Sequence, residues 1–442
     1  MWSQQFSGTL SERDCQQHIP HQFDVPAGLT ALIIDYEYAP AEIDGFKNLC
    51  TLSVYAPDGC RGAAHRDPKK QHIVISSGDS TPGFTSGAIT AGRWQIDIDS
   101  HMVLPGEPLR YTLTISGSSD PQSAAPTWTS SITASRGAGW YRGNLHSHTF
   151  HSDASMSAAD LVRWARSENF DFVALTDHNT ISGLAQMDSL GAADLLVMGG
   201  IELTTFYGHA LVMGVRDWID WRVRADRNML DIQREAEARG ATFIIAHPFT
   251  PGGKYCTGCH WEYSEMMPGT ARLLEIWNWT WDGDSNNQDA VELWYSWLNQ
   301  GYRIFATAGN DIHDVPTEPL RLGFNVVYAQ ELSEREILAA IRKGHNYLSS
   351  APQLNFEGRT LGGQTILLGE QLPAGTLHLD WSNCGDSDLG KLIVNGQQAA
   401  VFAAKSAGSL HWTPQPDWKW AVVEIRDDQG NLKAITNPIF IG

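Results

Sequence analysis

Asn144-Leu145-His146-Ser147-His148-Thr149 carries the first pair of side chains in this chain able to do chemistry. Strand side chains alternate in direction, so His-x-His at a strand end turns both imidazoles to one side. Two neutral imidazoles so placed can hold a divalent ion at about 2.0–2.1 Å. Taken alone, the motif is more often a polar turn than a metal site. Further along, imidazoles and carboxylates recur where apolar runs end. Asp153 lies five residues after His148. Leu175 leads into Thr176-Asp177-His178, and Leu196 to Gly200 into Ile201-Glu202. Gly208-His209 opens a run, Ala246 leads into His247-Pro248, and Ala308 into Gly309-Asn310-Asp311-Ile312-His313. Six histidines and three carboxylates in such places are poorly explained as core residues, because a buried carboxylate without a cation is costly.

The elements that must position these groups alternate between strands and helices over residues 138–350. Ser157-Ala158-Ala159-Asp160 is a capping-box start, and Leu161, Trp164 and Ala165 then share one helical face. Asp171 to Leu175 and Ala241 to Ala246 read as buried strands, as do Arg272 to Trp277, Arg303 to Ala308 and Leu322 to Tyr328. Ala225 to Arg239 reads as a helix closed by Gly240, and a second helix opens at Ser333 and ends at Gly344. The alternation predicts a parallel α/β barrel or sheet, whose C-terminal strand ends would bring most of the listed groups to one mouth. Residues 1–137 read instead as a β-sandwich, with strands at Leu29 to Tyr36, Gln71 to Ile75, Trp94 to Ile98 and Leu109 to Ile115. A Ser/Ala/Pro-rich linker is expected from Ser116 to Ser135. Residues 351–442 return to short strands, such as Leu377 to Trp381 and Ala421 to Ile425, as a second, smaller β-domain.

With these motifs in order, the sequence resembles the PHP (polymerase and histidinol phosphatase) metallohydrolases, and its three-part layout resembles the carbaryl-hydrolase-like CehA/McbA branch. The resemblance implies a distorted seven-stranded (β/α) barrel flanked by β-sandwich-like domains, with two or three divalent ions, Zn, Mn or Fe. It implies that His146, His148, Glu202 and Asp311 hold the first ion. Glu202, His209 and His247 would hold the second, with Glu202 bridging, and Asp153, His178 and His313 the third. Many members of the family have His where Asp153 stands. Such ions acidify bound water and polarise a phosphoryl or carbonyl oxygen. The expected reaction is hydrolysis of a small-molecule phosphoester, or alternatively of an ester, amide or carbamate. Glu202, Asp177 and Arg321 are the catalytic candidates. Asp177 would either orient His178 or a water, or cap a turn.

Arg321, Lys254 and His151 are candidate substrate contacts, with Arg142 a weaker one; Arg321 would grip an anionic group bidentately or form a surface ion pair. Trp277, Trp279 and Trp281 would share one face if their strand continued, either as an aromatic wall or as core. Cys256-x-x-Cys259-His260 has the spacing of haem attachment, but its place in a barrel loop favours packing over a zinc site or a redox disulfide.

The chain has 442 residues, 50 acidic against 31 basic, for a formal charge of −19. That balance argues against binding nucleic acid or an anionic membrane, as does the lack of a basic run longer than Lys69-Lys70. No stretch approaches the roughly 20 apolar residues of a spanning helix. Six cysteines are too few for a disulfide scaffold. The start lacks a basic and apolar leader, so a cytoplasmic protein is expected. A nucleic-acid-processing domain and an inert binding module are the competing classes; the charge opposes the first, and the full set of ligand-type residues the second.

Overall fold

The computed structural model describes residues 2–65, 69–130, 134–251, 258–267 and 270–442. The N-terminal segment forms two four-stranded antiparallel sheets. One runs in the order Ser3–Leu10, Leu109–Ser118, Ala31–Ala39, Lys70–Ser76; the other runs Gln17–Val25, Gly92–Met102, Leu49–Ala56, Gly59–Ala64. Period-2 patterning turns Leu32, Ile34 and Tyr36 of one sheet and Trp94, Ile96 and Ile98 of the other into a core of their own. The last strand continues to Ser118, so the irregular connection begins later than the composition suggests.

The middle segment is built on strands β1 (Gly139–Asn144), β2 (Phe172–Leu175), β3 (Leu196–Thr205), β4 (Gly208–Met213), β5 (Thr242–Ile245), β6 (Leu273–Asn278), β7 (Phe305–Gly309), β8 (Phe324–Ala329) and β9 (Asn346–Ser349). Pairs β1–β2, β2–β3, β5–β6 and β6–β7 are parallel, whereas β3–β4, β4–β5 and β1–β8 are antiparallel. The expected all-parallel order therefore fails at β3–β4, a hairpin too tightly connected for a crossover. The hydrogen-bonded path is also open: among the described residues no ladder joins β7 to β1. Their ends meet through a single Ser147–Ile312 bridge, and Asn325 side-chain bonds tie β7 to β8. What the described residues show is a mixed α/β sheet with parallel strands and antiparallel β regions at both sides.

Helices cover the sheet as amphipathic patterning requires. In α1 (Ala158–Ser167) the Ser157 side chain accepts from Asp160 N while Asp160 accepts from Ser157 N, and Leu161, Trp164 and Ala165 are buried. Such a cap is worth about 0.5–2 kcal/mol. The next long helix, Met229–Ala238, starts four residues later than expected: Asn228 and Asp231 form its capping box, and Arg224 and Arg227 bridge as a turn before it. Helix Glu334–Ile341 starts where Ser333 predicts.

Two features of the assembly bear on the site. The sheet does not stop near residue 350, because β9 pairs with Leu432–Thr436 and the path continues into the C-terminal strands. The N-terminal sandwich is fastened to the loop after β2: Gly83 N donates to Ser182 Oγ at 3.0 Å, and Thr180 Oγ1 donates to Gly83 O at 2.7 Å. Arg222 also reaches across to Asp97 at 2.7 Å.

Candidate metal centre

Asn144, the last residue of β1, organises the two chain ends that carry most of the ligand-type groups. Its amide donates to His146 O at 2.8 Å and Ser147 Oγ at 2.7 Å, and its carbonyl oxygen accepts from Asn310 N at 2.8 Å. His148 N donates to Ile312 O, and Asp311 N to His146 O, both at 3.0 Å. Asp311 (φ +48°) and His247 (φ +24°) leave their strands in left-handed backbone, a conformation that costs non-glycine residues of order 1–3 kcal/mol and clusters at functional sites. Asp177 accepts from Thr149 N, Thr149 Oγ1 and Ser152 Oγ at 2.7–2.8 Å. It therefore fastens the 146–152 segment, the turn-holding alternative of its two expected roles.

Glu202, fully buried on β3, stands at the middle of the cluster. Its Oε2 lies 3.2 Å from His146 Nε2, 3.3 Å from His148 Nε2 and 2.9 Å from His178 Nδ1; its Oε1 lies 3.0 Å from His209 Nδ1 and 3.1 Å from His247 Nε2. Asp311 Oδ1 is 3.3 Å from His146 Nε2 and 3.0 Å from His148 Nε2. Asp153 Oδ1 is 3.4 Å from His178 Nε2 and 3.3 Å from His313 Nε2. Donors 2.0–2.1 Å from a tetrahedral ion stand about 3.3–3.4 Å apart, close to these separations. Three overlapping groups have all donor atoms within 4.8 Å: His146, His148, Glu202, Asp311; His178, Glu202, His209; and His148, Asp153, His178, His313. Eight of the nine expected ligand residues fall in these groups, with His178 facing both Asp153 and Glu202; His247 is in none of them and joins the cluster through Glu202 Oε1.

Buried polar atoms normally have hydrogen-bond partners. Here His146 Nε2, both nitrogens of His148, Glu202 Oε2, His209 Nε2 and His247 Nδ1 are buried without one. Orphaned donors and acceptors in one place, with His146 Nε2, His148 Nε2 and Glu202 Oε2 at ligand-to-ligand spacing, fit a multinuclear divalent metal centre. Electrostatics agree. Burial alone would depress His146, but Asp311, Glu202 and Glu275 outweigh it and hold the imidazole well above its usual range. The same contest raises His178 and His247, and brings His313 to about 9. Burial would raise Glu202, Asp311 and Asp153, but adjacent imidazoles hold all three well below the usual carboxylate range. Burial and neighbouring histidines push His148 down to about 3.

Glu275 was not anticipated from the motifs. Its Oε2 lies 3.1 Å from His146 Nδ1 and its Oε1 accepts from Asn278 at 2.9 Å, so it fixes the ring with Nε2 toward Glu202 and Asp311. The available signal was a lone carboxylate in the apolar run Leu273-Leu274-Glu275-Ile276-Trp277. Gly309 makes room for it: a Cβ there would stand 2.1 Å from Glu275 Oε2 and 2.6 Å from His146 Cβ. Gly309→Ala is expected to displace both side chains and weaken metal retention by about 10- to 100-fold, the range for lost outer partners of metal-binding histidines. Metal titration of the purified variant would show it, and wild-type affinity would remove Glu275 from this role.

Other expected contacts lie elsewhere. Arg321 is 78% exposed, 4.0 Å from Asp427, and is absent from the lining of the cavity beside the cluster. Arg142 lies within β1, its guanidinium 4.4 Å over the Phe324 ring. His151 Nδ1 pairs with Ser182 Oγ at 2.8 Å. Lys254 and Cys256 fall outside the described residues, and Cys259 is disulfide-bonded rather than simply packed. The tryptophans do not form one wall, because β6 ends at Asn278 and Trp279 turns to φ +60°. Trp277 is core, and Trp281 packs on it at 5.3 Å. Trp279 alone lines the cavity of about 550 Å³ that borders Asp311 and His313, with Asp314, Val315, Pro316, Thr317, Glu318 and Leu320.

No protein-family model matches the sequence, and no curated protein matches it. The chain is structurally similar to a two-domain protein from Bacteroides vulgatus containing a predicted PHP-like metal-dependent phosphoesterase (14% identity, TM-score 0.41, 72% of this chain and 100% of that one). It is similar to a protein from Bifidobacterium adolescentis described as a metal-dependent phosphoesterase (14%, 0.30, 40% and 90%). It is also similar to an amidohydrolase from Chromobacterium violaceum solved with sulfate and no metal (14%, 0.29, 40% and 89%). No helix among the described residues is long and apolar enough to cross a membrane.

Proposed function

We propose that this protein is a metal-dependent hydrolase of small molecules. The observation that carries the reading is the set of overlapping imidazole–carboxylate groups around Glu202, in which the mutually facing His146 Nε2, His148 Nε2 and Glu202 Oε2 are buried without a hydrogen-bond partner. His146, His148, Glu202 and Asp311 would hold one ion, Glu202, His209 and His247 a second, and Asp153, His178 and His313 a third. Bound divalent ions supply an acidified water and Lewis-acid polarisation of the scissile group. The protein's part is to fix the donors before substrate arrives: Glu275 sets the His146 ring, the Asp311 carbonyl accepts from His313 Nδ1 at 2.9 Å, and Asp177 pins the 146–152 segment. Asp153 in place of histidine gives the third group a carboxylate, which suits a harder ion such as Mn or Fe.

Hydrolysis of a phosphoester and hydrolysis of an ester, amide or carbamate both suit this donor set. The cavity beside Asp311 and His313 helps choose between substrates. Its described lining offers Trp279, Val315, Pro316 and Leu320 and two acids, Asp314 and Glu318, but neither Lys nor Arg. That favours a phosphodiester, or a neutral ester, amide or carbamate, over a doubly charged phosphomonoester. Metal-reconstituted enzyme is therefore expected to turn over bis-p-nitrophenyl phosphate or a naphthyl ester or carbamate faster than p-nitrophenyl phosphate. Rates equal to those of chelator-treated protein on every substrate would end the hydrolase reading for these classes.

A further inference from the structure

The N-terminal sandwich is not required to assemble the nine donors, yet it reaches them. His65 follows the strand Gly59–Ala64, and its ring centroid lies 4.6 Å from that of His178. His65 Nδ1 is buried and has no hydrogen-bond partner. Placement is enforced from both sides. Ala63 N donates to Gly83 O at 3.2 Å, and a Cβ on Gly62 would stand 2.0 Å from that oxygen, so the strand end is pressed against Gly83. Gly83 in turn holds Thr180 and Ser182, just beyond His178. Behind the ring, His101 packs edge-on at 5.1 Å and is anchored to Thr51 at 3.2 Å. His65 is nevertheless absent from every group of donors lying within 4.8 Å of one another. Its ring thus stands against His178, at the edge of the cluster, without belonging to any of those groups.

We propose that His65 is a substrate-contacting residue, delivered by the N-terminal β-sandwich, that hydrogen-bonds an oxyanion held at the metal centre. The sandwich is then part of the active site rather than an appended module. The proposal rests on the metal-centre reading above, and the test separates the two. Full-length wild type, His65→Ala and His65→Asn are reconstituted with Mn²⁺, assayed for metal content and melting temperature, and titrated calorimetrically with inorganic phosphate. Expected are unchanged metal content and melting temperature in both variants, phosphate affinity weakened about 10-fold in His65→Ala, and partial recovery in His65→Asn, which retains a donor. Phosphate affinity within twofold of wild type in His65→Ala would overturn the proposal. Loss of an ion would overturn it too, by making His65 a support of the centre, as would failure of both variants to fold or a metal-loaded wild type that ignores phosphate. Wild type without bound metal would instead refute the underlying reading, and the proposal with it.

Discussion

Glu202→Gln is expected to lower metal-dependent hydrolysis by at least about 10³-fold and to leave the protein with fewer ions than wild type. A single group aimed at developing charge is worth about 10²- to 10³-fold, and here the ions themselves are at stake. The two oxygens of Glu202 face five imidazoles at 2.9–3.3 Å, serving all the donor groups except that of Asp153 and His313. Glutamine keeps the shape but supplies an NH₂ at one of these oxygen positions, where it cannot ligate and meets imidazoles instead. It also removes one of three carboxylates from a cluster with six histidines, so the remaining negative charge compensates fewer ions. Elemental analysis beside kcat measures both effects, with circular dichroism to confirm the fold. A variant holding the wild-type metal complement and working at wild-type rate would show that Glu202 bridges nothing. His146→Ala combined with His148→Ala should abolish turnover by the same logic while leaving the N-terminal sandwich folded, since that sandwich has its own core.

Much of this centre was legible because its donors sit where the backbone changes state. His178 follows β2, His247 follows β5 and Asp311 follows β7, each marked by an apolar run that ends in a polar group, and His146 and His148 follow β1 as a His-x-His pair. Glu275 was harder to see because it lies inside its strand, and its role depends on the neighbouring strand bringing Gly309 close. His65 carried no local signal. It comes from another domain, and tertiary contacts such as those of Gly83 with Thr180 and Ser182 bring it near His178. Arg321 follows the last motif closely in sequence, and its exposed guanidinium lies 4.0 Å from Asp427, the surface ion-pair alternative of its two expected roles. The all-parallel expectation failed at β3–β4 because both strands are wholly buried, and burial on both faces erases the alternation that separates antiparallel from parallel strands.

Removing metal is expected to lower the melting temperature of the central segment by on the order of 10 °C, with the loss growing from pH 6 to pH 9. An ion at about 1,000 times its Kd contributes about 4 kcal/mol, and each kcal/mol shifts a domain of this size by about 2–4 °C. The pH trend follows from the imidazoles. In the metal-free fold, burial opposes protonation of His146, His178, His247 and His313, but Glu202, Asp311, Asp153 and Glu275 outweigh it; all four are raised, His313 to about 9. A histidine raised on folding contributes stability that is fully present below its unfolded value, about 6.5, and is lost as pH rises through the folded value. The metal-free protein therefore weakens across this window. Ion-bound histidines are already neutral ligands and lose nothing there, while fewer protons compete with the ion as pH rises. His148, pushed down to about 3 mainly by burial, is already neutral throughout, and His209 is lowered by the same cause. The depressed carboxylates lose their contribution only as pH falls below their unfolded values near 4, outside the window. Thermal melts with Mn²⁺ and after chelation at each pH unit give the gap directly. A gap that stays constant or narrows between pH 6 and 9 would mean that these imidazoles do not exchange protons for metal.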